Sequence, residues 1–122
     1  MKTVRIRNEV AGLICECARN AYPNEFGAML RMENGVISDV LFYPRSITGE
    51  ESFSVYDWDV PMGLDYCGTV HSHPSGSNRP SREDLDFFSG RKEVHLIIKY
   101  PFGREDIAAY GSDGKKMEII FV

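Results

Sequence analysis

The sequence contains no run of about 18 apolar residues, the minimum for a membrane-spanning helix, so no membrane partner is expected. Its first segment, "MKTVRIRNEV", holds no apolar core long enough for a secretion signal, and the expected location is cytoplasmic. Positive charge is not in excess: 14 Lys and Arg stand against 18 Asp and Glu, for a net charge of −4. That balance argues against a dedicated nucleic-acid binder, which carries a basic face. Cysteine is scarce, with three residues and no metal-ligand spacing. Cys15 and Cys17 fall two apart in a helical pattern and point to different sides, and Cys67 lies in a strand pattern. They read as small apolar residues of a reducing compartment, and no disulfide among them can be assigned. Repeats, linkers and low-complexity tracts are also absent, so residues 1–122 are expected to form one domain. The sequence is compatible with a homo-oligomer but does not specify one.

What is present is a succession of short strands and two helices. Asn8 is placed to cap a helix in which Val10, Leu13, Ile14, Cys17, Ala18 and Ala21 recur on one stripe, until Pro23 stops it. "FGAMLRM", then "ENG", then "VISDVLFYP" reads as a hairpin, because Asn-Gly tolerates positive φ at both turn positions. "ESFSVY" alternates as a further strand, and "VPMGL" is a turn or a helical stub. "CGTVHSH" is a strand, "SREDLDFFSG" a helix closed by Gly90, and "VHLIIKYP" a central strand by its nearly continuous apolar run. "EDIAAYG" and "KKMEIIFV" form a terminal hairpin turned at Asp113-Gly114. The fold class is therefore α/β, a mixed sheet packed by helices.

The chemistry concentrates between Thr69 and Phe88, "TVHSHPSGSNRPSREDLDFF". Residues two apart on a strand share a face, so His71 and His73 project together. Pro74 ends the strand, a Ser/Gly/Pro loop returns the chain, and Asp84 falls on the first turn of the next helix. Two imidazoles and one carboxylate, with water in the fourth position, make the ligand set of a catalytic zinc. Two simpler accounts compete. Ser81-x-x-Asp84 is a capping-box pattern whatever else it does, and a lone histidine in a strand is usually structural, the role given to His95. Two histidines and a carboxylate also suit non-haem iron. An amidohydrolase barrel would need roughly 250 residues, and a cupin would not contain the helical pattern at 8–22. Glu25, in "NEFGAML" at the mouth of the first apolar strand, is the candidate base for a hydrolytic water.

Taken together, "HSHPSGSNRPSRED", with "EFGAML" upstream, resembles the signature of the JAMM, or MPN-plus, metalloproteases: His-Ser-His-Pro, six residues, Ser, two residues, Asp. The order of elements resembles that family over the whole chain. The resemblance implies a cytidine-deaminase-like α/β fold with one zinc per chain on His71, His73 and Asp84. It also implies Glu25 as general acid/base and Ser81 as oxyanion donor. It implies cleavage of isopeptide or peptide bonds after the Gly-Gly tail of ubiquitin-like modifier proteins, which would be the partners. The inserted segments with which eukaryotic relatives grip polyubiquitin are absent or short, so the chain is most similar to the stand-alone archaeal and bacterial forms. Processing of a sulfur-carrier tail, or a non-catalytic scaffold with a structural metal, are the alternatives. A Gly-Gly tail also suits a narrow cleft beside a sheet edge, where backbone pairing can hold it extended.

Overall fold

A computed structural model describes residues 2–42, 66–89 and 92–122. The "ESFSVY" strand, the "VPMGL" segment and the Gly90 helix stop lie outside the described residues. Among the described residues seven strands and two α-helices follow one another, with a short 3-10 helix at Arg104–Asp106: β1 (Thr3–Ile6), α1 (Asn8–Ala21), β2 (Gly27–Glu33), β3 (Val36–Leu41), β4 (Gly68–His73), α2 (Arg82–Phe88), β5 (Val94–Lys99), β6 (Ile107–Tyr110) and β7 (Lys116–Phe121). The strand order is β1-β3-β2-β4-β5-β6-β7, and β1 runs parallel to both β3 and β7, which closes the sheet on itself. Parallel pairs (β1–β3, β1–β7, β4–β5) mix with antiparallel ones (β2–β3, β2–β4, β5–β6, β6–β7), as the alternation of strands and helices predicts.

Two expectations change, and one strand is new. β1 carries no sequence signal of its own: "TVRI" alternates over only four residues, and its partners lie at residues 36–37 and 118–121. Asn8 is not a cap. The helix starts after Arg7, no side chain caps it, and the Asn8 Oδ1 instead accepts from Arg104 Nη1 at 2.9 Å. The buried stripe of α1 is Val10, Ala11, Ile14, Cys15 and Ala18, rotated from the expected one, so that Leu13 is 41% exposed. Each described strand has two neighbours, but β3 pairs with β1 only at Val36 and Ile37, which leaves Ser38–Leu41 without a β1 partner on that side.

Strand alternation divides the interior into two packed faces. Val70, Leu96, Ile98, Ile107 and Ala109 pack with α1 in the larger core. Their neighbours Ile97, Ala108 and Tyr110 pack with Phe87 and Phe88 of α2. In the β4–β5 register His71 stands beside Ile97 and His73 beside Lys99, so both histidines project on the α2 side. The two turns read from sequence hold, with Asn34 (φ 54°), Gly35 (φ 78°) and Gly114 (φ 79°) all left-handed. Among the described residues no disulfide joins Cys15, Cys17 or Cys67.

Gly68, at the start of β4, allows the close parallel approach of β5. A Cβ there would lie 1.8 Å from the Val94 carbonyl oxygen, whereas one at Gly76 would meet nothing within 4 Å. Backbone cannot yield as a flexible side chain can. Gly68→Ala is therefore expected to cost at least about 1–3 kcal/mol and Gly76→Ala less than about 0.5 kcal/mol, as measured by denaturant unfolding. Equal stability of the two variants would contradict the register.

Candidate metal centre

Strand β4 ends at His73, and the loop from Pro74 to Pro80 is tied back to the sheet. The Tyr100 N–H donates to the Ser75 carbonyl at 3.0 Å. Tyr110 Oη donates to the Asn78 carbonyl, and Asn78 Nδ2 donates to the Asp106 carbonyl, both at 2.9 Å. The loop thus returns in a fixed path to Ser81, the N-cap of α2. The capping box is complete: Ser81 Oγ accepts from the Asp84 N–H at 3.0 Å, and the Ser81 N–H donates to Asp84 Oδ2 at 2.8 Å. Capping accounts for half of what Asp84 does. Its other contacts reach across to β4.

Asp84 Oδ1 lies 3.1 Å from His71 Nε2, and Oδ2 lies 3.1 Å from His73 Nε2. One donor atom from each of the three residues falls within 4.8 Å of the others. His71 is 3% exposed, and neither of its ring nitrogens makes an aligned hydrogen bond. Buried polar atoms without a partner are rare and costly, and here the orphaned nitrogen faces a carboxylate and a second imidazole. His73 Nδ1 is within 3.0 Å of the Ser77 carbonyl, an acceptor only, so Nδ1 carries the proton and Nε2 is left for a ligand. Two imidazole nitrogens and a carboxylate fit a zinc ion.

Burial alone would raise the Asp84 carboxyl, but the close His71 and His73 rings and the Ser81 amide outweigh it and hold the group well below the usual carboxylate range. Burial alone would lower His73, but the Asp84 carboxylate and the Ser77 carbonyl raise it above its ordinary value of 6.5.

Glu25 is half-buried just ahead of β2. The β2–β4 register ends at the pair Gly27–His71, and Glu25 lies two residues ahead of Gly27, in irregular chain just outside the strand. Burial raises the Glu25 carboxyl first. His71 and His73 pull it back, while Asp84 and Glu83 push it up, for a net rise. That is the direction a proton-accepting group near neutral pH requires. Ser81 is exposed, and because its oxygen accepts in the cap its hydroxyl proton remains to donate.

His95 stays outside the centre. It is fully buried, its Nε2–H donates to the Lys92 carbonyl at 3.0 Å, and its Nδ1 accepts from Thr69 Oγ1 at 2.7 Å. Its ring stacks on Phe88 at 4.2 Å, and Phe88 in turn lies 6.5 Å from the His71 ring, a floor beneath the centre. Ser72, between the two histidines, carried no sequence signal beyond the motif. It is 1% exposed and binds the segment that carries Glu25.

Residues 7–110 match the family of prokaryotic homologues of the JAB domain, and the chain belongs to that family. It is 32% identical to a probable metalloprotease of Haloferax volcanii, over 97% of this chain and 79% of that protein. Among solved structures it resembles a JAB1/MPN domain protein from Archaeoglobus fulgidus, at 34% identity and a TM-score of 0.77, covering 100% of this chain and 99% of that one. A JAMM structure described as a metalloprotease-like zinc site in the proteasome and signalosome matches at 30% identity and a TM-score of 0.77, again over 100% of this chain and 99% of the other. The expected α/β fold of the JAMM/MPN type is therefore the observed one. Among the described residues no helix is long and apolar enough to cross a membrane.

The raised His73 pKa has a testable sign. Its stabilisation is complete below the unfolded value of 6.5 and is lost as pH rises through the higher folded value. Thermal melts of metal-free protein should show a falling midpoint as pH is raised above 6.5. Zinc-loaded protein should not show this fall, because a ligated imidazole is already deprotonated. The same slope in both forms would contradict ligation by His73.

Proposed function

We propose that residues 1–122 form a single-domain zinc metallopeptidase that cuts isopeptide or peptide bonds after the Gly-Gly tail of a ubiquitin-like modifier. The observation that carries this reading is the convergence of His71, His73 and Asp84 on one point, with a half-buried carboxylate, Glu25, electrostatically coupled to all three. His71, His73 and Asp84 would hold one zinc ion. Bound there, zinc supplies Lewis acidity toward water and the scissile carbonyl.

The remaining steps fall to this chain's own side chains. Glu25 takes a proton from the attacking water and passes it to the departing amine, which leaves poorly unless protonated. The Ser81 hydroxyl, held by the cap, donates to the developing oxyanion. The Ser77 carbonyl, accepting from Nδ1, keeps the ligand imidazole of His73 oriented. No covalent intermediate is required, so no cysteine acts as nucleophile, and burial raises both Cys15 and Cys17 away from the reactive thiolate form.

The substrate class follows from the family and from steric reasoning. A tail without side chains can enter a narrow approach that bulky residues cannot. Main-chain pairing cannot tell one extended tail from another, so specificity rests on that exclusion and on the folded body of the modifier. Location in the cytoplasm belongs to the same reading.

Zinc-loaded Glu25→Gln should retain its metal and fold and lose about 10²–10⁴ in rate. Near-normal turnover would remove Glu25 from the reaction. Ser81→Ala separates two roles: loss of the cap costs about 0.5–2 kcal/mol of stability, while loss of an oxyanion donor lowers kcat by roughly 10²–10³. Both effects are expected, measured at a temperature where the variant is folded. The substrate is tested in gel assays of modifier conjugates ending in Gly-Gly or Gly-Leu, with and without chelator. Chelator-sensitive cutting of the Gly-Gly form alone is expected. Failure to cut any conjugate, isopeptide or linear, would favour a scaffold role.

A further inference from the structure

We propose that Ser72 is a positioning residue that sets Glu25 against the metal centre by putting its hydroxyl in the place of a sheet carbonyl. The inference rests on the general-base reading of Glu25. In an antiparallel pair, residues facing each other in a hydrogen-bonded position exchange two main-chain bonds. Phe26 and Ser72 face each other in the β2–β4 register, one step beyond Gly27 and His71. The first bond is ordinary: the Ser72 N–H donates to the Phe26 carbonyl at 2.8 Å. The second is not. The Phe26 N–H donates to Ser72 Oγ at 2.7 Å, a side-chain acceptor where the ladder would use the Ser72 carbonyl.

This substitution has a geometric consequence. A hydroxyl stands off the main chain that carries it, so the incoming segment is held at a different point from that of a regular ladder. β2 begins only at Gly27, and Glu25 lies in irregular chain just outside it. Both polar groups of Phe26 are nonetheless fixed to one residue, and Phe26 is itself 2% exposed, with its side chain in the larger core. Glu25 is therefore next in sequence to a backbone unit held by two hydrogen bonds to Ser72 and by a buried side chain. Ser72 is 1% exposed and lies between two of the metal-site residues, while its own side chain turns to the opposite face. It joins the strand that bears the histidines to the segment that bears the carboxylate.

The consequence is that removing the hydroxyl should act through Glu25. In zinc-loaded Ser72→Ala, kcat should fall about 10–10²-fold, the scale of a misplaced catalytic group, with KM changed less than about twofold because substrate contacts stay uniform. Ser72→Thr, which keeps the hydroxyl, should restore most of the rate. Added to Glu25→Gln, Ser72→Ala should cost little more, because groups acting as a unit are not additive. A readout independent of activity is hydrogen exchange of the Phe26 amide in metal-free protein, whose protection should drop in Ser72→Ala and return in Ser72→Thr. Undiminished Phe26 protection, or losses that multiply with Glu25→Gln, would overturn the proposal. Full activity of Ser72→Ala beside an inactive Glu25→Gln would overturn it alone, whereas full activity of Glu25→Gln would bring down the general-base reading as well.

Discussion

The Asp84 carboxylate is the constraint on which the centre depends. One oxygen faces His71, the other faces His73 and accepts the Ser81 N–H, so a single group joins the start of α2 to the end of β4. A partly buried carboxylate is costly unless it is well paired. Here the cap and two imidazoles satisfy it together. The cap gives Asp84 a fixed direction, and α2 keeps that direction because Phe87 and Phe88 are buried against β5 and β6. The metal site is in this sense a consequence of helix capping and of core packing.

The sheet supplies the second half of the arrangement. β4 pairs with β5 in parallel and with β2 antiparallel, both central in a closed sheet, so the histidines rise from rigid backbone. Gly68 lets β5 approach on one side, and Ser72 ties the Glu25 segment on the other. The loop between His73 and Ser81 is held by Tyr100, Tyr110 and Asp106, outside the ligand set. The spacing of the two histidines and the position of Glu25 are thus fixed by different parts of the fold, which leaves each separately testable.

Much of this was legible in the residues, because it depends on local rules. The Asn34-Gly35 turn, the Ser81–Asp84 capping box and the shared face of His71 and His73 all follow from spacings of four residues or fewer. What was not legible is non-local. β1 is four residues whose partners lie about 30 and 115 positions away, so no window around "TVRI" contains the reason for its strand. Asn8 has a good capping side chain, yet Arg104, 96 residues distant, takes it. Leu13 continues a stripe by periodicity but is exposed, because the face of α1 turned to the core is that of Val10, Ala11, Ile14, Cys15 and Ala18. The half-burial of Glu25 and the clamp at Ser72 likewise arise only when β2 and β4 are paired.

The central claim is that His71, His73 and Asp84 hold one zinc ion. The most direct measurement is a crystal of protein purified without added metal, with anomalous diffraction recorded on both sides of the zinc absorption edge. The account predicts one peak per chain, within ligand distance of His71 Nε2, His73 Nε2 and an Asp84 oxygen. A peak elsewhere, no peak, or an edge belonging to iron would contradict it.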